Sequence, residues 1–527
     1  MKISAILSRP TRILWVLLAA VLLPSPSGAQ GVKLGAISFP TSSKPAARPL
    51  FLRGVALLHS FEYEDAAEAF RKAQTIDPAF ALAYWGEALT YDHPLWGEQD
   101  STAARAVLLR LAPTAEARAS KARTEREKAY LQAVEVLYGA GDKLARATAY
   151  VEAMRTIHEM YPSDMEARTL YALALLGASP SRSTDLRPRV EAAAAADVVF
   201  RRNPEHPGAA HYLIHAYDDP VLAPLGLPAA LSYARIAPAA QHAVHMPSHI
   251  FLQLGRWDDV VASNEKAFSA SQAWARKKGH PASQYDFHSL YWLHYGYLQQ
   301  GRYRLARALE DSARAMLAAE KGNMPMWAEM GPTLMGIQYL AEAGTRNSLP
   351  PDSTRDPTTA SYAIGLASAE RKDTAQLRSA ENRIRAHIDS VKTVSKPMRV
   401  SLLVLEAHRA RLEGSLDRAM SILERAAVLE DSVRAVGPAY GVPIREALGD
   451  LLLERGDAEK AATQYELALL RTPNRSRALL GRARAAVMAR DERAATRFYH
   501  LVLRNWRNAD GGTRELEEAR AWIARRS

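Results

Sequence analysis

Histidine is scarce in this chain of 527 residues, fifteen in all, yet three stand within eight residues around a proline in HAVHMPSH (242–249). His211 and His215 lie 34 residues before His245 and His249, and the members of each pair are four apart. On a helix, residues four apart share a face, so each pair can offer two imidazoles to one metal ion. Asp218 follows the first pair, and His288 stands further on in YDFHSLYWLHYGYL (285–298). Imidazole and carboxylate donors suit Zn²⁺, Cu²⁺, Fe²⁺ or Mn²⁺. The expected metal set is therefore His211, His215, Asp218, His242, His245, His249 and His288. A shared ion requires their ring nitrogens to converge within about 5 Å. The competing reading of the same residues is a polar groove whose histidines hydrogen-bond and stack on a peptide or sugar.

The elements that must position these groups differ in clarity. EHPGAAHYLIHAYDDP (205–220) begins well as a helix, because Pro207 suits a first turn. Pro247 is less welcome inside a helix, where it removes an N–H and clashes with the preceding turn. A helix starting at Met246–Pro247 leaves His242 and His245 in a lead-in loop, with His249 on its first turn. Met324, Met326 and Met330 around Trp327 are soft donors for copper, though such sets more often fill packing gaps.

Composition narrows the rest. There is no cysteine, which excludes disulfides, thiolate ligands and a cysteine nucleophile. Residues 1–29 read as a signal peptide: Lys2, Arg9 and Arg12 precede the apolar run Ile13–Leu23, and Ser27-Gly28-Ala29 supplies small residues for cleavage. The run is too short to span a bilayer and no other stretch approaches eighteen apolar residues. An exported protein, periplasmic or secreted, without an integral span is expected. The net charge is +11, of which residues 471–527 hold +8 from fourteen Arg against six acidic residues. That basic C-terminus offers a surface to an acidic partner, while export argues against nucleic acid. No G-x-S-x-G, phosphate-cradling glycine loop or H-E-x-x-H is present.

A length of 527 residues is too great for one core, and internal repeats resolve the difficulty. EYEDAAEAFRKAQTIDP (62–78) places Ala66, Phe70, Ala73 and Pro78 in a pattern that returns as Ala461, Tyr465, Ala468 and Pro473. Looser copies lie at 301–313 and 414–426, and Pro204 and Pro238 are 34 residues apart. These residues resemble the tetratricopeptide repeat, over most of 47–505. The resemblance implies an all-α fold, an α-solenoid of helix-turn-helix repeats, and a scaffold that binds a protein or peptide partner in a concave groove. The expected organisation is an N-terminal extension over 30–46, a lobe over 47–344, a linker over 345–358 and a second lobe over 359–527. Residues 97–145, 269–286 and 436–443 interrupt the period, the first with room for an extra helix.

The resemblance also implies which positions face the groove: 2, 5, 9, 12 and 13 of each repeat. Numbering from the repeat prolines puts His211 and His215 at 5 and 9, with Asp218 at 12. His245 and His249 again fall at 5 and 9, and His242 and His288 at position 2. His59, Asp92, His93, Gln253, Tyr291 and Tyr295 join the same surface as ligand-groove residues, and His408 falls at position 9 of a later repeat. Nine of the fifteen histidines take these five positions, where chance gives about two. The two functions expected from this surface are partner or ligand binding by an exported scaffold and, as the alternative, a metal site or metalloenzyme.

Overall fold

The computed structural model describes residues 33–180, 182–320, 322, 324–344 and 356–526. The expected signal peptide and most of the expected linker lie outside these residues; Asp356 caps a helix, Pro357–Glu370, that begins within the last residues assigned to that linker.

The chain is an α-solenoid of antiparallel helix pairs, and small residues set the crossings. In the first pair, Arg48–His59 and Tyr63–Ile76, Phe70 is fully buried between Gly54 and Gly86, the latter on the next helix, Ala81–Leu89. A Cβ at Gly54 or Gly86 would lie 2.6 or 2.4 Å from the Phe70 ring. The arrangement returns nearly four hundred residues later, where a Cβ at Gly449 or Gly481 would lie 2.9 or 2.3 Å from the Tyr465 ring. An aromatic knob wedged between two glycines is thus the physical content of the repeat, since only hydrogen leaves room for the ring.

The interruptions take definite forms. Between 97 and 145 the chain adds Ser101–Leu111, Ala115–Ala119 and Glu125–Leu137. No sheet was expected; among the described residues one short antiparallel pairing occurs, Asp92–His93 with Glu98–Gln99, closing a tight loop. The 269–286 interruption is in part a helix extended to 22 residues, Trp257–Lys278. Residues 33–46 run without regular structure but anchor Phe39 against Phe51, Trp85 and Tyr130, with ring centroids 5.2–5.7 Å apart.

One buried apolar cluster runs from Leu34 to Ala485, and a second occupies the C-terminal end. Late repeats return against the middle of the chain. Trp257 Nε1 donates to the Asn474 carbonyl (3.0 Å), and the Ser476 hydroxyl donates to the Gln299 carbonyl (2.6 Å). Several C-terminal arginines are paired internally, among them Arg484 with Glu518 and Arg475 with Glu342 and Glu446. No helix among the described residues is long and apolar enough to cross a membrane.

Candidate metal centre

Three helical segments carry the histidines. Pro207–Tyr217 presents His211 and His215 four residues apart, and Phe287–Gln299, capped by Asp286, presents His288 in its first turn. The segment around Pro247 is two short helices, Gln241–His245 and Pro247–Gln253. The expected lead-in loop is absent because Met246 keeps helical angles (φ −53°, ψ −36°) and its N–H still donates to the His242 carbonyl. Pro247 costs the ladder one bond and breaks the helix without reversing it. His245 and His249 therefore remain one turn apart.

Six histidines form two neighbouring triads. His211, His215 and His242 bring one ring nitrogen each within 4.8 Å of one another, and His245, His249 and His288 do the same. The triads adjoin, with ring centroids 5.7 Å apart for His215 and His249 and 6.0 Å for His242 and His245.

Hydrogen bonds decide which nitrogens are free. His211 Nδ1–H donates to the His59 carbonyl (2.7 Å), so its Nε2 carries the lone pair. His245 Nδ1–H donates to Asn264 Oδ1 (2.6 Å), and Asn264 is oriented by its own donation to the Val260 carbonyl (2.7 Å). His249 Nδ1–H donates to Asp218 Oδ2 (2.9 Å). The Nε2 atoms of His245 and His249 then face each other at 3.1 Å. Two lone pairs at that distance need an electrophile between them, a metal ion or a proton on His249 beside Asp218. A proton joins only two nitrogens. His288 completes the triad, and its buried Nδ1 has no partner; the same holds for His242 Nε2 in the other triad. Nitrogens about 2.05 Å from one ion at a tetrahedral angle lie about 3.3 Å apart, close to the spacing seen.

Burial disfavours the charged form of five of these rings. Burial pushes His211 and His288 down to about 3, and holds His215, His242 and His245 well below the ordinary histidine range. Neutral imidazole is the form a metal binds. Phe61 sits at φ 58°, in a left-handed region that bulky residues seldom take, and its ring packs on His211, His242 and His215 at 4.3, 5.4 and 5.9 Å. Trp292 covers His249 and His245 at 4.3 and 5.3 Å.

Asp218, expected in the metal set, meets His249 on the far side of the ring from the triad's Nε2 atoms. Its two carboxylate oxygens accept from His249 Nδ1–H and from Gln253 Nε2 (2.9 Å each), and Arg434 donates to its backbone carbonyl. Burial raises its pKa, but His249 and Arg434 outweigh this and hold it at about 2. Asp218 thus fixes the tautomer of His249, and Gln253 orients Asp218.

The other groove residues scatter. His59 is fully buried rather than groove-facing: its Nε2–H donates to Glu166 Oε2 (2.8 Å) and its Nδ1 accepts from the Tyr212 hydroxyl (2.9 Å). Glu166 Oε1 accepts from His206 Nε2–H (3.1 Å), whose Nδ1 accepts the Ala209 N–H (3.2 Å). Every nitrogen of this third cluster is satisfied, so it reads as a clamp that holds the His59 carbonyl under His211. Gly208 permits it, since a Cβ there would lie 2.4 Å from His59 Nδ1. His93 stacks on Tyr63 at 4.0 Å and Asp92 accepts from Gln99 (2.9 Å). Tyr291 and Tyr295 are buried, Tyr295 against Arg475 (2.9 Å). His408 lies with the C-terminal repeats and lines a cavity there together with Leu366 and Ala447. Asn264, Phe61, Glu166, His206 and Trp292 were not singled out from the sequence as site residues; none carries a local motif.

Residues 47–80 match the tetratricopeptide repeat family. No curated protein sequence matches the chain. Similar solved structures include the Cut9–Hcn1 hetero-tetramer of the APC/C, 14% identical with a TM-score of 0.34, over 85% of this chain and 78% of that one. A human IFIT1 dimer with m7Gppp-AAAA is also 14% identical with a TM-score of 0.36, over 88% of this chain and 91% of that one.

Proposed function

We propose that this protein binds transition-metal ions at two adjacent tri-histidine sites built into a helical-repeat scaffold. The observation that carries this reading is the convergence of His245, His249 and His288 with two Nε2 acceptors at 3.1 Å. Three imidazole donors favour Cu²⁺, Zn²⁺ or Fe²⁺ over hard oxygen-seeking cations. They also leave a fourth position open, as catalytic zinc sites do. The pattern of residues 1–29 supports export, so the ion would be taken up outside the cytoplasm. Partner binding by the scaffold is a second reading, supported by the tetratricopeptide match at 47–80.

Metal analysis of the mature protein, purified without a histidine tag and incubated with Zn²⁺ or Cu²⁺, is expected to give about two equivalents. His245→Ala/His249→Ala is expected to retain about one, with helical circular dichroism unchanged. Uptake below about a tenth of an equivalent by the unaltered protein overturns the reading. Asp218→Asn should keep the hydrogen bond to His249 but lose its charge. Competition with a chromophoric chelator should then show affinity about 10–100-fold weaker at one site and unchanged at the other.

A further inference from the structure

Above the triads lies a pocket of about 310 Å³, whose lining includes His242 from one triad and His288 from the other. A small molecule there meets one ring of each triad. The pocket's size lies at the lower end of the roughly 300–1,000 Å³ range of small-molecule sites.

The walls are aromatic. Trp96 stands edge-on to His242 at 5.6 Å, and Trp327 edge-on to His288 at 4.6 Å. Phe61 and the stacked pair Tyr63–His93 complete that surface. Flat faces of this kind hold a planar ring.

Polar atoms around the same pocket are buried and lack partners: the Tyr63 hydroxyl, Trp327 Nε1 and Gln241 Oε1. Buried groups without partners are costly and uncommon in a finished interior. Their gathering around one opening indicates a ligand that supplies the missing bonds. Trp327 Nε1 can only donate, Gln241 Oε1 only accepts and the Tyr63 hydroxyl does both. A hydroxyl group can donate to Gln241 Oε1 and accept from Trp327 Nε1–H, which leaves one lone pair for the open position of a metal ion.

Charge sets the remaining limit. Glu62, Glu98 and Asp286 line the pocket, and no described lining residue is Lys or Arg. A carboxylate or phosphate finds no cationic side chain there and, having only acceptors when ionised, leaves Gln241 Oε1 unmet, just as an ammonium group, having only donors, leaves Trp327 Nε1 unmet. Two bound dications in the floor repel an ammonium group. What fits is uncharged.

We infer that this pocket binds a small, uncharged aromatic molecule bearing a hydroxyl group, with its ring between Trp96 and Trp327 and its oxygen directed to the tri-histidine floor. The inference rests on the metal reading above and adds the ligand class.

The test uses the mature protein loaded with Zn²⁺, with 4-methylphenol as probe and benzoate and benzylamine as charged controls. Ligand-observed saturation-transfer NMR is followed by calorimetry, and metal content is measured on each sample. Saturable binding of 4-methylphenol is expected, at least about tenfold tighter than either control. Trp96→Ala/Trp327→Ala should weaken it by about tenfold or more with two ions still bound. Gln241→Ala, which removes no wall, should weaken it by a smaller factor. No saturable binding by fully loaded protein overturns the inference. So does a charged control binding as tightly, unchanged binding by the double variant, or equal binding by metal-free protein. Because metal content is read on the same samples, a protein that takes up no ion is recognised as a failure of the metal reading itself.

Discussion

Stripped of metal, the protein is expected to lose helical structure as the pH falls from about 6.5 toward 5, where the metal-loaded protein keeps it. Burial drives His211 and His288 down to about 3 and lowers His215, His242 and His245 as well. In the unfolded chain the same rings titrate near the ordinary value of about 6.5. A group whose folded pKa lies below its unfolded one contributes stability that is present above the unfolded value and is lost as pH falls toward the folded value. Between these limits the unfolded chain binds more protons, so stability declines on acidification by about 1.4 kcal/mol per pH unit for each such histidine. Several act together in one region, which makes the decline steep. His294 and His408, pushed by burial to about 4, carry the same sign but are unaffected by metal. Metal opposes the decline because it binds the folded site: saturation at a thousandfold excess over Kd contributes about 4 kcal/mol per ion. Far-ultraviolet circular dichroism against pH, with and without a chelator, checks this. Hydrogen exchange should place the difference in Pro207–Tyr217, Pro247–Gln253 and Phe287–Gln299. Coincident acid transitions for the two forms would overturn it.

The repeat was legible because its signal is steric and local. Ala66, Phe70 and Ala73, and later Ala461, Tyr465 and Ala468, occur at spacings that only crossing helices need. The pairs His211/His215 and His245/His249 were legible for a related reason, since a four-residue interval fixes a face once the helix is granted. The division into triads was not. His242 and His245 are three residues apart on one short helix, yet one joins the upstream pair and the other the downstream pair. That outcome depends on where Gln241–His245 sits between its two neighbours, which no local pattern encodes. For Asp218 the sequence leaves two roles open, because a carboxylate near histidines can ligate or can orient. The side of the ring it meets decides, and it meets Nδ1 of His249. Asn264 and Glu166 come from other helices and stand in sequence as ordinary polar residues.

Arg475→Ala is expected to destabilise the fold by about 3–5 kcal/mol, the cost of leaving buried charge without its partner. Arg475 is fully buried, with Nε 2.7 Å from Glu446 and NH1 2.5 Å from Glu342 and 2.9 Å from the Tyr295 hydroxyl. Glu342 and Glu446 are themselves buried, so removal of the guanidinium leaves Glu446 with the longer pairing to Arg477 (3.4 Å) and Glu342 with the Gln299 amide (3.0 Å) in place of a close buried ion pair. Burial already raises Glu342, against the pull of Arg475. Without that pull its folded pKa moves further above the unfolded value near 4.5, which favours the folded state at low pH and penalises it as pH rises. The variant's deficit in urea midpoint should therefore be larger at pH 8 than at pH 5.5, opposite in sign to the histidine effect. Replacing all three groups with apolar residues of similar volume, as Arg475→Met/Glu342→Leu/Glu446→Leu, should recover most of the loss, because a buried ion pair and a well-packed apolar substitute are often close in stability. A deficit independent of pH, or one the triple substitution leaves intact, would show that Arg475 acts by packing alone. The consequence reaches the proposed metal site through Tyr295 and Gln299, which lie on the helix that carries His288, while the neighbouring Ser476 holds Gln299 by two hydrogen bonds (2.9 and 2.6 Å). Arg475→Ala should accordingly loosen the His245–His249–His288 site more than the His211–His215–His242 site, and the triple substitution should restore the difference along with the fold.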